Sequence, residues 1–231
     1  MTRSDSVLAV VMAAGFSERF GTADKRLAQF HNGQALLAAT LAKLTPHFCE
    51  LCVVLRPEDN PRELGLPEAT TILWSYHAAQ GLSASIADAF QQILAQEKFH
   101  PFSAAAVFLG DMPWITSQTL VQLLSVCAKE KIVRPIYSVP EKGFSVGLCS
   151  AAKDQVEGGE PGHPVIFGRS YWPELAALTA EQGGMAVIKK HRKNYREVAV
   201  TDPGVVTDID YPEDLTRIKP ISAEKANPNA E

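Results

Sequence analysis

Short strand-like runs alternate with segments of helical period along most of the chain, and this alternation restricts the fold more than any other feature. The runs are Val7–Met12, Leu51–Leu55, Thr70–Trp74, Ala104–Leu109, Ile132–Ile136, Pro164–Phe167 and Arg196–Val200. Between them, Gln34–His47 carries Leu37, Leu41 and Leu44 on one helical face, and Ser83–Gln96 carries Ile86, Phe90 and Ile93. Ser83 or Ser85 is expected to cap that second helix. Thr116 caps a third, bearing Leu120, Leu124 and Cys127, and Tyr171–Ala180 and Met185–His191 read as two more. Tyr211-Pro212-Glu213-Asp214 opens a last helix, with proline at its first position and acids in its first turn. Strands that are apolar throughout need cover on both faces, and intervening helices connect strands in parallel. The expected fold is α/β, a mostly parallel sheet between helical layers, with strand order left open.

The chain has 231 residues, of which 46% are hydrophobic, enough for one full core. We expect a single domain over residues 1–219 and a polar tail over 220–231. Net charge is −4 with no run of like charge, which argues against a nucleic-acid partner. The apolar stretch behind the polar first six residues is too short for a signal sequence or a membrane span, so a cytoplasmic protein without membrane contact is expected. Of the four cysteines, Cys49 and Cys52 form a C-x-x-C, but Cys52 opens an apolar run, and the pair reads as buried strand cysteines.

The first run ends in Ala13-Ala14-Gly15 and is followed by a polar loop with Ser17, Arg19, Gly21 and Lys25. Neither common glycine fingerprint fits. A P-loop needs lysine after its last glycine, whereas Thr22 follows Gly21, and Gly15-Phe16-Ser17 lacks the second glycine of G-x-G-x-x-G. What remains is A-A-G-x-S-x-R-x-G-x-x-x-K. Small residues let the backbone approach a nucleotide, and Arg19 and Lys25 bring two cations to a polyphosphate.

Ala104–Leu109 runs directly into Gly110-Asp111-Met112-Pro113. A carboxylate just past the end of a buried strand lies where open α/β sheets bind ligands, and carboxylates hold Mg²⁺ that bridges phosphates. Further on stands Thr207-Asp208-Ile209-Asp210-Tyr211-Pro212-Glu213-Asp214-Leu215. Asp210 fits a helix N-cap with an acid three residues on. Asp208 has no such task and is the second candidate metal ligand. The two are expected to point apart and not to share an ion.

These motifs resemble the signatures of the MobA-like nucleotidyltransferases, which attach NMP groups to molybdopterin. The likeness extends from Leu8 to Leu215. It implies a Rossmann-like three-layer domain in which Arg19 and Lys25 hold the triphosphate. Ala13, Ala14, Gly15 and Ser17 would line the nucleotide, Asp111 would act in catalysis as the metal carrier, and Asp208 would join it as a ligand of Mg²⁺. Gln80-Gly81-Leu82-Ser83-Ala84-Ser85 is similar to the family's G-x-x-x-S element, which places Gly81 and Ser85 beside the base and ribose. Ala13-Ala14-Gly15 looks like the cytidylyltransferase branch, where the guanylyltransferases read Ala-Gly-Gly. Pro161-Gly162-His163-Pro164-Val165-Ile166-Phe167 resembles that branch's P-G-H-P-V element and puts His163 on the acceptor side. Residues 138–160 read as an insertion near that side, and 182–187 lack the arginine of the family's G-D-x-G-A-R.

The resemblance implies transfer of CMP from CTP to molybdopterin cofactor, with pyrophosphate released and the product passed to a molybdoenzyme. The alternatives are a relative using GTP or another acceptor, and a non-catalytic carrier of finished cofactor.

Overall fold

The computed structural model describes residues 4–21, 23–30, 33–138, 158–180 and 182–217. Most of the expected insertion (139–157) and the whole expected tail (220–231) lie outside these residues. The strands are β1 (Val7–Met12), β2 (Leu51–Leu55), β3 (Thr71–Trp74), β4 (Ala104–Leu109), β5 (Ile132–Tyr137), β6 (Glu160–Pro161), β7 (Val165–Gly168) and β8 (Tyr195–Val200). The helices are α1 (Leu36–Leu44), α2 (Leu82–Ala95), α3 (Ser117–Leu124), α4 (Trp172–Ala176), α5 (Gly184–Lys190) and α6 (Asp214–Arg217). Among the described residues no helix is long and apolar enough to cross a membrane.

The eight strands form one mostly parallel sheet in the order β3-β2-β1-β4-β7-β5-β6, with β8 also paired to β5. Pairs β1–β2, β2–β3, β1–β4 and β5–β8 are parallel, while β7 runs antiparallel between β4 and β5. Period-two alternation sorts β1 into both cores. Leu8, Val10 and Met12 pack with Ile86, Phe90 and Ile93 of α2 and with Trp172 of α4. Val7, Ala9 and Val11 pack with Leu37, Leu41 and Leu44 of α1 and with Leu120 and Leu123 of α3. Two apolar layers on one strand are why its run is unbroken, and they yield the expected helix–sheet–helix architecture.

Two consequences of the topology position the site. The chain leaves β1 toward β2 on one side, while β4 returns on the other, so the segments beyond Met12 and Leu109, which face each other in register, diverge into a crevice. The antiparallel sense of β7 brings the residues before Val165, His163 among them, to that same edge, because Val165 pairs with Val107 near the end of β4.

Several local expectations are corrected. Helix α2 begins at Leu82, one residue after Gly81, whose φ of 97° lies in the left-handed region, and neither Ser83 nor Ser85 caps it. Helix α6 begins at Asp214 and not at Pro212, because the Asp214 carboxylate reaches back to accept hydrogen bonds from the Asp210 and Tyr211 amides. Asp210 stands four residues before the helix and its carboxylate binds Arg19, so it is not the N-cap. Of the two C-x-x-C cysteines only Cys52 is buried, with its thiol acidity weakened by that burial, and Cys49 is exposed ahead of β2.

Thr116 does cap α3, its hydroxyl accepting from the Thr119 amide. Buried Asp202 joins this cap to the turn after β8. Its Oδ2 accepts from the Thr116 amide at 2.8 Å, the Thr116 hydroxyl at 2.9 Å and the Thr119 hydroxyl at 2.7 Å, and its Oδ1 from the Gly204 amide at 2.9 Å. A Cβ on Gly204 would come within 2.5 Å of the Trp114 backbone, so the turn sits directly on the segment that follows Asp111. Asp202→Ala strands several buried donors and is expected to cost about 3 kcal/mol. A urea unfolding midpoint equal to that of the native chain would contradict this role.

Candidate active site

The loop after β1 is built by backbone geometry and one buried cation. The Ala13 amide donates to the Val54 carbonyl, and the Gly110 amide to the Met12 carbonyl, so the ends of β1, β2 and β4 stay joined just below the crevice. Ser17 takes a left-handed conformation at φ 52°, unusual for a residue with a side chain, and turns the chain into a short 3-10 turn that buries Phe20. Phe20 packs with Leu36 and fully buried Ile209, which ties the loop to the C-terminal segment.

Arg26, which sequence reasoning passed over, holds the loop's far end to its start. Its guanidinium donates to the Ala13 carbonyl, to Asp24 and, at 2.6 and 2.7 Å, to both oxygens of Asp59. Arg56 contacts the same Asp59 carboxylate from the other side. Burial works against the Arg26 charge, but the bonds to Asp59 and Asp24 outweigh it and hold the group above its ordinary acidity constant. For Asp59 burial is likewise overcome by the two arginines, and its carboxyl sits well below the usual range. Arg26 lines the crevice but is satisfied by protein carboxylates, so it acts as framework.

Lys25 stands next to it with a different set of partners. Its Nζ donates to Asp111 Oδ2 at 2.6 Å and to the Ile209 carbonyl, and lies 3.7 Å from Asp210 Oδ1. Arg19 reaches the other Asp210 oxygen at 2.5 Å. The second oxygen of Asp111 is buried and has no hydrogen-bond partner among the described residues. Asp208 and Asp210 both line the crevice, contrary to the expectation that they point apart. Residues two apart on an extended segment share a face, and the residue between them, Ile209, is the one turned into the core. Burial, then the charges of Asp111 and Asp210, raise the Asp208 carboxyl above its ordinary value. The cluster thus holds more negative charge than its two cations balance.

The crevice encloses about 620 Å³. It brings together Ala13, Ala14, Gly15, Ser17, Arg19, Lys25, Gly81, Ser85, Asp111 and Asp208, the residues expected at nucleotide and metal, while His163, expected on the acceptor side, lies outside it. Its far wall is set by a relay that the motifs did not reveal. Buried Asp88 of α2 accepts from the His77 amide and ring and from the Ser75 hydroxyl, and Ser75 also meets Ser85 Oγ at 2.9 Å. That relay fixes the turn through Ala78 and Gly81.

A second cavity of about 210 Å³ adjoins the first, and the two share Leu82 and Leu109 on their walls. His163 lines it with Arg134, Ser83, Gly183, Gly184 and an apolar set that includes Phe167 and Met185. Arg134 of β5 was not foreseen. It donates to the Gly162 carbonyl at 2.9 Å and approaches Met185 Sδ at 3.1 Å, so an arginine does lie against the 182–187 segment, supplied by another element. Burial, aided by the Arg134 charge, brings the His163 ring down to about 4, despite a hydrogen bond to the Val107 backbone, and its buried Nδ1 has no partner among the described residues.

A crevice with two cations, a half-satisfied carboxylate and an adjoining pocket is suited to group transfer between a polyphosphate and a second substrate. The family model for the MobA-like NTP transferase domain matches residues 9–195. The chain belongs to that family. A search of curated protein sequences found no match. Among solved structures, the homolog of Mycobacterium tuberculosis rv0371c from Mycobacterium sp. strain JC1 is 25% identical, with a TM-score of 0.70 over 91% of this chain and 93% of that one. Rv0371c of M. tuberculosis H37Rv in complex with manganese is 22% identical, with a TM-score of 0.62 over 86% and 89%. Molybdopterin-guanine dinucleotide biosynthesis protein A from Archaeoglobus fulgidus is 19% identical, with a TM-score of 0.60 over 91% and 95%. This MobA-like nucleotidyltransferase therefore shares its fold with those proteins.

The depressed His163 constant has a measurable consequence. The neutral ring contributes stability that is fully present above about pH 6.5 and is lost as pH falls toward 4. Ring-nitrogen NMR shifts of His163 should stay constant from pH 8 to 5, and His163→Gln should flatten the stability profile between pH 6.5 and 4. A ring that titrates near 6.5 would contradict the burial.

Proposed function

We propose that this chain transfers CMP from CTP to the terminal phosphate of molybdopterin cofactor and releases pyrophosphate. The observation that carries this function is the Lys25–Asp111 pair at the foot of the larger crevice, with the smaller cavity opening beside it. The triphosphate lies along the loop of Ala13, Ala14, Gly15 and Ser17, with the base and ribose toward Gly81 and Ser85. The acceptor enters beside His163 and Arg134. Cytidine over guanosine is supported by Ala13-Ala14-Gly15 and by the P-G-H-P-V run, both of which resemble the cytidylyltransferase branch. The architecture shared with a molybdopterin-guanine dinucleotide protein favours a pterin acceptor and makes GTP the second reading.

An oxygen of the acceptor phosphate forms a bond to the α-phosphorus as the bond to the bridging oxygen breaks, and pyrophosphate departs with that electron pair. The nucleophile is already anionic at neutral pH, so no side chain has to remove a proton, and neutral His163 positions the acceptor without acting as a base. Lys25 and Arg19 stabilise the charge that grows on the leaving pyrophosphate. The partnerless Oδ1 of Asp111 and the charge-burdened Asp208 fit a divalent cation. Mg²⁺ held by Asp111 and Asp208 would neutralise phosphate charge, in line with the manganese complex of Rv0371c. The reaction belongs in the cytoplasm, with a molybdoenzyme as the recipient of the product.

Lys25→Ala and Asp111→Ala should each lower pyrophosphate release by about 10²–10³ in the presence of CTP, Mg²⁺ and cofactor. Unchanged release in Asp111→Ala would remove that residue from the site. In a thermal-shift panel of the four ribonucleoside triphosphates with Mg²⁺, CTP should stabilise most, and a preference for GTP would favour the second reading.

A further inference from the structure

We infer that Asp210 is a specificity-determining residue that withholds Arg19 from a free nucleotide and yields it to one arriving with a divalent cation. This rests on the crevice taking a nucleoside triphosphate. Arg19, one of the two loop cations, is bound to Asp210 at 2.5 Å, and the other Asp210 oxygen leans toward Lys25 at 3.7 Å. Asp210 therefore occupies, as a protein carboxylate, the place where a phosphate would sit. It is also firmly held: its amide donates to Asp214 Oδ2 at 3.1 Å, and Ile209 before it is fully buried. Arg19 by contrast has 67% of its side chain exposed, so only rotamer changes separate its bond to Asp210 from a bond to a ligand.

The charges that face this point come from several elements. Among the described residues, Glu18, Asp111, Asp208 and Asp210 supply four carboxylates, while Lys25 and Arg19 are the two cations besides Arg26, which Asp24 and Asp59 already neutralise. A free triphosphate that captures Arg19 leaves Asp210, beside the ligand's own negative charge, with only the looser contact to Lys25. A triphosphate with a divalent cation brings the positive charge that the released carboxylate needs. Selection by an unfavourable contact against the wrong form of a ligand is a general route to specificity. It explains why a fourth acid stands in a pocket meant for a polyanion.

The test is equilibrium binding of CTP, once with Mg²⁺ and once with EDTA, to the native chain, Asp210→Asn, Arg19→Ala and the double variant. In EDTA, Asp210→Asn should bind CTP about fivefold to tenfold more tightly than the native chain, from the freed arginine and the lost repulsion. Most of that gain should vanish in the Arg19→Ala background. Asp210→Ser, which also removes the charge, should reproduce the shift and guards against a folding artefact of one variant. Unchanged EDTA affinity in both Asp210 variants, or an equal gain with and without Arg19, overturns the inference alone. A native chain that binds no triphosphate in either buffer overturns the nucleotide reading and this one together.

Discussion

Lys25 carries its charge where little water reaches it, with 11% of its side chain exposed, against an Asp111 carboxylate exposed by 18%. A buried ion pair of this kind does little for stability in itself, but removing one partner strands the other and costs about 3–5 kcal/mol. The pair therefore works as a constraint. Through Asp111 and the Ile209 carbonyl, Lys25 draws together the loop after β1, the end of β4 and the segment before α6. Those three segments are far apart in sequence, and one ammonium group ties them together at the crevice.

The sheet makes that meeting possible. β1 and β4 lie side by side in parallel, so Met12 and Leu109 end level and their following residues open on one edge. The reversed β7 then delivers His163 to the same edge from a different direction. The framework beneath is separate from the chemistry. Arg26 and Asp59 hold the loop's shape within a network that also takes in Asp24 and Arg56, and Lys25 beside them keeps a partner, Asp111, with an oxygen to spare.

Much of this was legible in the residues. Unbroken apolar runs marked the buried strands, and the helical periods of Leu37-Leu41-Leu44 and Ile86-Phe90-Ile93 marked their cover. Arg19, Lys25, Asp111 and Asp208 were singled out chiefly by the likeness of their motifs to the MobA-like signatures, with the strand end before Asp111 as support from the residues themselves. What escaped was set by tertiary contact. Nothing local distinguishes Arg26 from any surface arginine until Asp59 folds over it, and Arg134 lies in the middle of a strand, where period alone reads it as ordinary. Asp210 was misassigned because a proline and two acids downstream imitate a helix cap, whereas the helix starts only at Asp214 and the Asp210 carboxylate binds Arg19. Strand order, including the reversal of β7, depends on pairings between distant segments that no single stretch records.

The residues that would carry nucleotide, metal and acceptor are thus grouped in two adjoining cavities of a MobA-like nucleotidyltransferase. The finest claim concerns which dinucleotide leaves the site. The most direct measurement is to incubate the chain with Mg²⁺, molybdopterin cofactor and each of the four ribonucleoside triphosphates in turn, and to identify the product by mass. The account predicts the cytosine dinucleotide, formed with one pyrophosphate per product. A guanine dinucleotide, or no dinucleotide from any of the four, would contradict it.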